Sequence, residues 1–191
     1  MIAPAVAAGP VLSFERSNVV VSGLAAGDQA LVVGVAHEPV AYKVHTVLRG
    51  EIVAGSSDGS ARYDFTRALP PKSVWAGIDL RSGAVTIASP RPEFLSVTRE
   101  KLNPGQLRRV TRAHSHALFV LIRPTVGAWH AIVHDSDIAD ADGKGDKHVS
   151  LDLARMQPYG ASPAVPDEIT AEDVLLVFEP FSLHVTELRR E

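Results

Sequence analysis

The sequence predicts an all-β protein, an antiparallel β-sandwich built from two related halves, residues 1–90 and 91–191. Three observations carry this. Short β-rich runs stand where helical periodicity would otherwise appear. Turn-forming residues punctuate those runs at close spacing. The second half also repeats the first at a nearly constant offset.

The runs of the first half are Val11–Glu15, Asn18–Gly23, Gln29–His37, Ala41–Arg49, Ala61–Thr66, Ser73–Leu80 and Ala84–Ala88. Between them stand Ala25-Ala26-Gly27-Asp28, Glu38-Pro39, Gly55-Ser56-Ser57-Asp58-Gly59, Pro70-Pro71 and Arg81-Ser82-Gly83. Glycine supplies positive φ and proline fixes φ, so these segments turn for a physical reason. Ala61, Tyr63 and Phe65 alternate with Arg62, Asp64 and Thr66, which puts the first set toward a core. Val74, Ala76, Ile78 and Leu80 do the same opposite Ser73, Gly77 and Asp79. Trp75 then falls on the outer face, where it either covers an apolar neighbour or joins a binding surface. The second half offers Phe94–Thr98, Leu107–Arg112, His114–Ile122, Ala128–His134, Lys147–Leu153, Asp173–Glu179 and Leu183–Leu188. Seven short strands per half is the pattern of a small antiparallel sandwich. Thr170 to Asp173 makes one helical turn at most.

The repeat is read residue against residue. Ala30-Leu31-Val32-Val33 matches Ala117-Leu118-Phe119-Val120, and eleven residues after each leucine comes an aromatic, Tyr42 or Trp129. Asp64-Phe65 matches Asp152-Leu153, and Pro70 matches Pro158. The offset is 87 to 88 over this block. After an insertion at 159–169 it resumes at about 100, where Val74 matches Val174 and Val85-Thr86 matches Val185-Thr186. Ser89-Pro90-Arg91-Pro92 is the linker candidate, because two prolines resist both helix and central strand.

The stretch Val19-Val20-Val21-Ser22-Gly23-Leu24-Ala25-Ala26-Gly27-Asp28-Gln29-Ala30-Leu31-Val32-Val33 resembles the strand-turn-strand segments of bacterial immunoglobulin-like modules. It lacks the paired cysteines and central tryptophan of immunoglobulin domains proper. The resemblance implies a fold, and such folds carry many unrelated functions.

Composition narrows the function classes. With 46% hydrophobic and 21% charged residues, the chain has the makings of a buried core. A net charge of -3 with no basic run argues against nucleic acid. The absence of cysteine excludes disulfides and thiolate chemistry. Met1 to Pro10 has no positive n-region, and no run reaches the ~18 apolar residues of a membrane helix. The expected location is therefore cytoplasmic, away from any membrane.

Two constellations are candidate metal sites. Asp135, Asp137, Asp140, Asp142 and Asp146, with Gly143 and Gly145 among them, offer oxygen ligands on a loop that suits calcium. The loop departs from the EF-hand template: with Asp140 and Asp142 at the third and fifth positions, Ile138 and Val149 fall at the first and last. A solvated, charged hairpin loop is the alternative. The second constellation is His114, His116, His130 and His134. Each pair shares a strand face. If Ile122 pairs with Ala128, His116 lies opposite His134, and imidazoles from both strands gather on one face as ligands for a transition metal. A slip of one residue would send the pairs to opposite faces.

No Gly-x-Ser-x-Gly elbow and no phosphate-cradling loop is present. The leading expectation is a non-catalytic structural or binding module, a subunit of a homo-oligomer or larger assembly, with no cofactor beyond a potential calcium ion. Ala117–Ile122 and Val174–Phe178 are apolar on both faces, which calls for cover on both sides by a sheet, a domain or a partner subunit. The runner-up is a metal-dependent enzyme using the histidine face. The third is a calcium-stabilised carbohydrate-binding module with Trp75, Tyr42 or Trp129 stacking on sugar rings.

Overall fold

The computed structural model describes residues 9–40, 43–65, 68–102, 110–111, 117–132, 148–149, 153–179 and 182–190. Its strands are β1 (Val11–Phe14), β2 (Asn18–Ser22), β3 (Gln29–Val40), β4 (Lys43–Ala54), β5 (Ala61–Asp64), β6 (Ser73–Asp79), β7 (Val85–Ala88), β8 (Ser96–Leu102), β9 (Val110–Thr111), β10 (Leu118–Arg123), β11 (Ala128–Ile132), β12 (His148–Val149), β13 (Gln157–Pro158), β14 (Val174–Glu179) and β15 (His184–Arg190). Among the described residues, only short 3-10 turns at Pro92–Phe94, Pro124–Val126 and Leu153–Arg155 accompany them. The all-β class expected from the sequence is therefore the one observed.

The strands form sheets of order β1-β2-β5, β4-β3-β6-β7, β13-β11-β10-β14-β15-β8 and β12-β9. Among the described residues, every pairing is antiparallel except β8 with β15, which is parallel. Several strands differ from the expected runs. The chain around Phe94 is a 3-10 turn before β8, β3 and β4 form a hairpin with twelve-residue arms, and β13 was not foreseen.

The sheets stack, and the faces of each strand explain why. Leu31, Val33 and Val35 of β3 and Val74, Ala76 and Ile78 of β6 meet Leu118, Val120 and Ile122 of β10 and Val174, Leu176 and Phe178 of β14 in one core. Both halves thus contribute to the same core. The opposite face of β3 and β6 carries Ala30, Val32 and Trp75, which pack on Leu12, Val19, Val21, Ala61 and Phe65 of the first sheet and its flank. The opposite face of β10 and β14 carries Phe119, Leu121, Leu175 and Val177, covered by Leu102, Met156 and Ile169. Two-faced apolar strands are therefore buried on both sides within one chain. The same layering corrects the outer face assigned to β6. Ser73 and Gly77 do not face water, and Trp75 is fully buried.

Trp75 is held there by its surroundings. Its ring lies over Gly34, where a Cβ would come within 2.4 Å of it, so only glycine fits. The ring meets Phe65 edge-on at 5.7 Å and Tyr63 at 5.6 Å. Its Nε1 donates to Ser73 Oγ at 3.0 Å.

The pairings in the two central sheets run in step. Leu31↔Ile78, Val33↔Ala76 and Val35↔Val74 between β3 and β6 have the counterparts Leu118↔Phe178, Val120↔Leu176 and Ile122↔Val174 between β10 and β14. Gly77↔Thr86 and Ile78↔Val85 have the counterparts Val177↔Thr186 and Phe178↔Val185. The turns agree as well. Ser82 Oγ donates to Asp79 Oδ2 at 2.5 Å, and Ser182 Oγ donates to Glu179 Oε2 at 3.1 Å. Gly83 (φ 68) and Leu183 (φ 51) are both left-handed, and Leu183 is the lone non-glycine residue among those described to be so. Val35 pairs with Leu48 as Ile122 pairs with Trp129, so Leu48 holds the register position of Trp129; Tyr42, matched to it in the sequence, lies outside the described residues.

Candidate functional site

The candidate region is β11 with the segment that covers it. Pro124 opens a 3-10 turn and Gly127 closes it at φ 58, which reverses the chain from β10 into β11. The register that results is Ile122↔Trp129, Leu121↔His130 and Val120↔Ala131. It is one residue away from the pairing of Ile122 with Ala128 on which the four-histidine face depended, so Leu121, not Val120, lies opposite His130. A one-residue slip exchanges faces.

Trp129 points into the shared core and is only 3% exposed. It stacks on Tyr159 with ring centroids 4.4 Å apart and planes 22° from parallel. Its backbone N–H donates to Ser162 Oγ at 2.9 Å, and Tyr159 N–H donates to the Trp129 carbonyl at 3.2 Å. Partial burial pushes the Tyr159 phenol above its ordinary value.

His130 points the other way and is fully buried. Its Nε2 lies 2.9 Å from the Pro163 carbonyl oxygen. A carbonyl only accepts, so Nε2 carries the hydrogen, and in the neutral ring Nδ1 keeps a bare lone pair. Nδ1 is buried without a hydrogen-bond partner, alone among the buried side-chain atoms described. The residues at 159–169, seen in the sequence as an insertion, thus hold Trp129 and His130 from outside, with Ile169 in the core beneath.

Of the predicted ligands, only His130 is among the described residues. His114, His116, His134, Asp135, Asp137, Asp140, Asp142 and Asp146 lie outside them. Among the described residues, no group of three or more His, Asp or Glu side chains is placed to hold a metal ion. Trp75 and Trp129 are interior, so neither presents a ring to a sugar.

No protein-family model, curated protein or solved structure matches the chain. Among the described residues, no helix is long and apolar enough to cross a membrane.

Three polar clusters escaped the sequence. Buried Glu187 accepts from Arg99 Nε at 3.0 Å and Arg189 Nε at 2.8 Å, and Arg189 Nη2 donates to the Gly83 carbonyl at 2.6 Å, which ties the two halves. Buried Asp173 pairs with Arg123 Nε at 3.3 Å and accepts from Thr170 N–H at 2.8 Å. Thr98 Oγ1, Thr186 Oγ1 and His184 Nε2 form a triangle with sides of 3.0, 3.2 and 3.2 Å.

Proposed function

We propose that the chain is a non-catalytic structural or binding module, two duplicated immunoglobulin-like halves closed on a common core, that acts by joining a protein partner or further copies of itself. The first half supports the immunoglobulin-like assignment by its strand order. Its first, second and fifth strands face its fourth, third, sixth and seventh, as in sandwiches of that class with an added edge strand. The matched registers and the matched acid-serine turns support duplication.

One observation carries the functional reading. Both faces of the central strands β3, β6, β10 and β14 are spent on packing, and the buried Asp173 and Glu187 are paired within the fold. What such a body offers to other molecules is its strand edges and loops, the surfaces by which sandwich modules bind. The test is native mass spectrometry of the full chain, purified without chelator or affinity-tag metal. A metal-free oligomer, or a metal-free chain that retains a protein partner, is expected. One zinc, iron or copper per chain would refute the reading.

That outcome would favour the second reading, a metal enzyme, for which His130 supplies the specific observation. A histidine that ligates through one nitrogen commonly donates the other N–H to a carbonyl, which is the arrangement of Nε2 on Pro163. Bound calcium would instead point to the loop from Asp135 to Asp146.

A further inference from the structure

Each half brings its own version of the same sheet face to the shared core. Leu31, Val33, Val35, Val74, Ala76 and Ile78 occupy the positions of Leu118, Val120, Ile122, Val174, Leu176 and Phe178, and both sets lie in one cluster. Like faces in contact are the mark of an isologous interface, the kind formed by two identical subunits about a two-fold axis.

The likeness breaks at one pair of positions. The Trp129 ring lies against Gly50 of β4, where a Cβ would stand 3.0 Å from its Cη2 and 3.1 Å from its Cζ2. Gly50 pairs with Val33 as Ala131 pairs with Val120, so Ala131 is its counterpart. Leu48 is the counterpart of Trp129. One half carries the large ring and the other the gap. Two copies of the second half would set tryptophan against alanine, and two copies of the first would set leucine against glycine and leave a void. Both alternatives cost packing energy.

We infer that the shared core is a dimer-type interface made internal, and that Trp129 over Gly50 determines that unlike halves pair. The inference rests on the duplication reading. The partner this face fits is the opposite half, so like-with-like pairing between copies is disfavoured at the same contact.

The test is a set of full-length variants compared by thermal melting. Gly50 has no left-handed φ, and alanine is otherwise the better strand residue. The Val32 carbonyl oxygen, 3.1 Å from the same Cβ position, is present in every background. Gly50→Ala is therefore expected to lower Tm in the native chain, where Tyr159 holds the Trp129 ring, and to leave Tm unchanged or raise it beside Trp129→Leu. Restored folding in that background counts as the same change of sign if Gly50→Ala alone does not fold. An equal effect in both backgrounds overturns the inference. The duplication is tested by moving the pair across the interface, adding Leu48→Trp and Ala131→Gly to the double variant. Recovery of most of the Tm lost by Trp129→Leu is expected. A change of sign without this recovery would sink the duplication while leaving the contact standing.

Discussion

Replacing Trp75 by alanine tests whether the first half has an inner sheet covered on both sides. The ring is fully buried, boxed by Gly34, Tyr63 and Phe65, and its Nε1 is used by Ser73. Trp→Ala in a core costs ~3–5 kcal/mol, and the edge-on aromatic partner places this site toward the upper end, about 4–5 kcal/mol. Ser73 Oγ keeps its own donation to the Pro70 carbonyl at 2.8 Å, so its hydroxyl is not orphaned outright. For a chain of this size each kcal/mol moves Tm by roughly 2–4 °C, so a fall of roughly 8–20 °C is expected. Against a total of about 5–15 kcal/mol, that is a large share of the stability. Urea unfolding followed by far-ultraviolet circular dichroism is the suitable assay, because the variant removes a fluorophore. A loss below about 1 kcal/mol is what an exposed side chain would give, and it would refute the placement of the β1-β2-β5 sheet over β6.

Glu187→Gln removes one charge from the cluster that joins the halves. Charge-assisted hydrogen bonds contribute about 1.5–3 kcal/mol, but Arg99 is 71% exposed and solvent screens its share, so a loss of about 1–2 kcal/mol is expected. A urea midpoint unchanged by the substitution would show that the cluster is not structural. Tyr159 gives a pH dependence. Its folded pKa lies above the ordinary 10.0, so as pH rises past that value the unfolded chain loses the proton first. Stability should then fall with rising pH from this group, and Tyr159→Phe should remove that component. Urea midpoints of the two proteins between pH 8 and 11 that fall in parallel would contradict this.

Much of the fold was legible because it depends on local chemistry. Glycine at 83 and the paired acid and serine of each turn are readable in the sequence, and turn geometry follows from the residues that form it. Alternation placed Ala61, Tyr63 and Phe65 toward a core, where they are found. The match of Val85-Thr86 with Val185-Thr186 fell on strands that pair alike. The register of β10 on β11 was not legible. Whether Ile122 pairs with Ala128 or Trp129 is decided by how many residues the Pro124–Val126 turn consumes. Tyr42 was set against Trp129 because the counts from each leucine agree, whereas in register it is Leu48 that pairs with Val35 as Trp129 pairs with Ile122.

The all-β class and the main strands could be read from the residues alone, because side-chain period and turn preference act over a few neighbouring residues. What covers each face is settled by long-range packing. A strand apolar on both sides demands burial twice over, but its sequence does not say whether a sheet, a segment of the same chain or another molecule provides it. Here Trp75 faces a third sheet, Trp129 faces Gly50 across the halves, and His130 lies beneath the 159–169 segment. Those contacts join residues up to 79 positions apart, where burial and shape, not local preference, choose the partner.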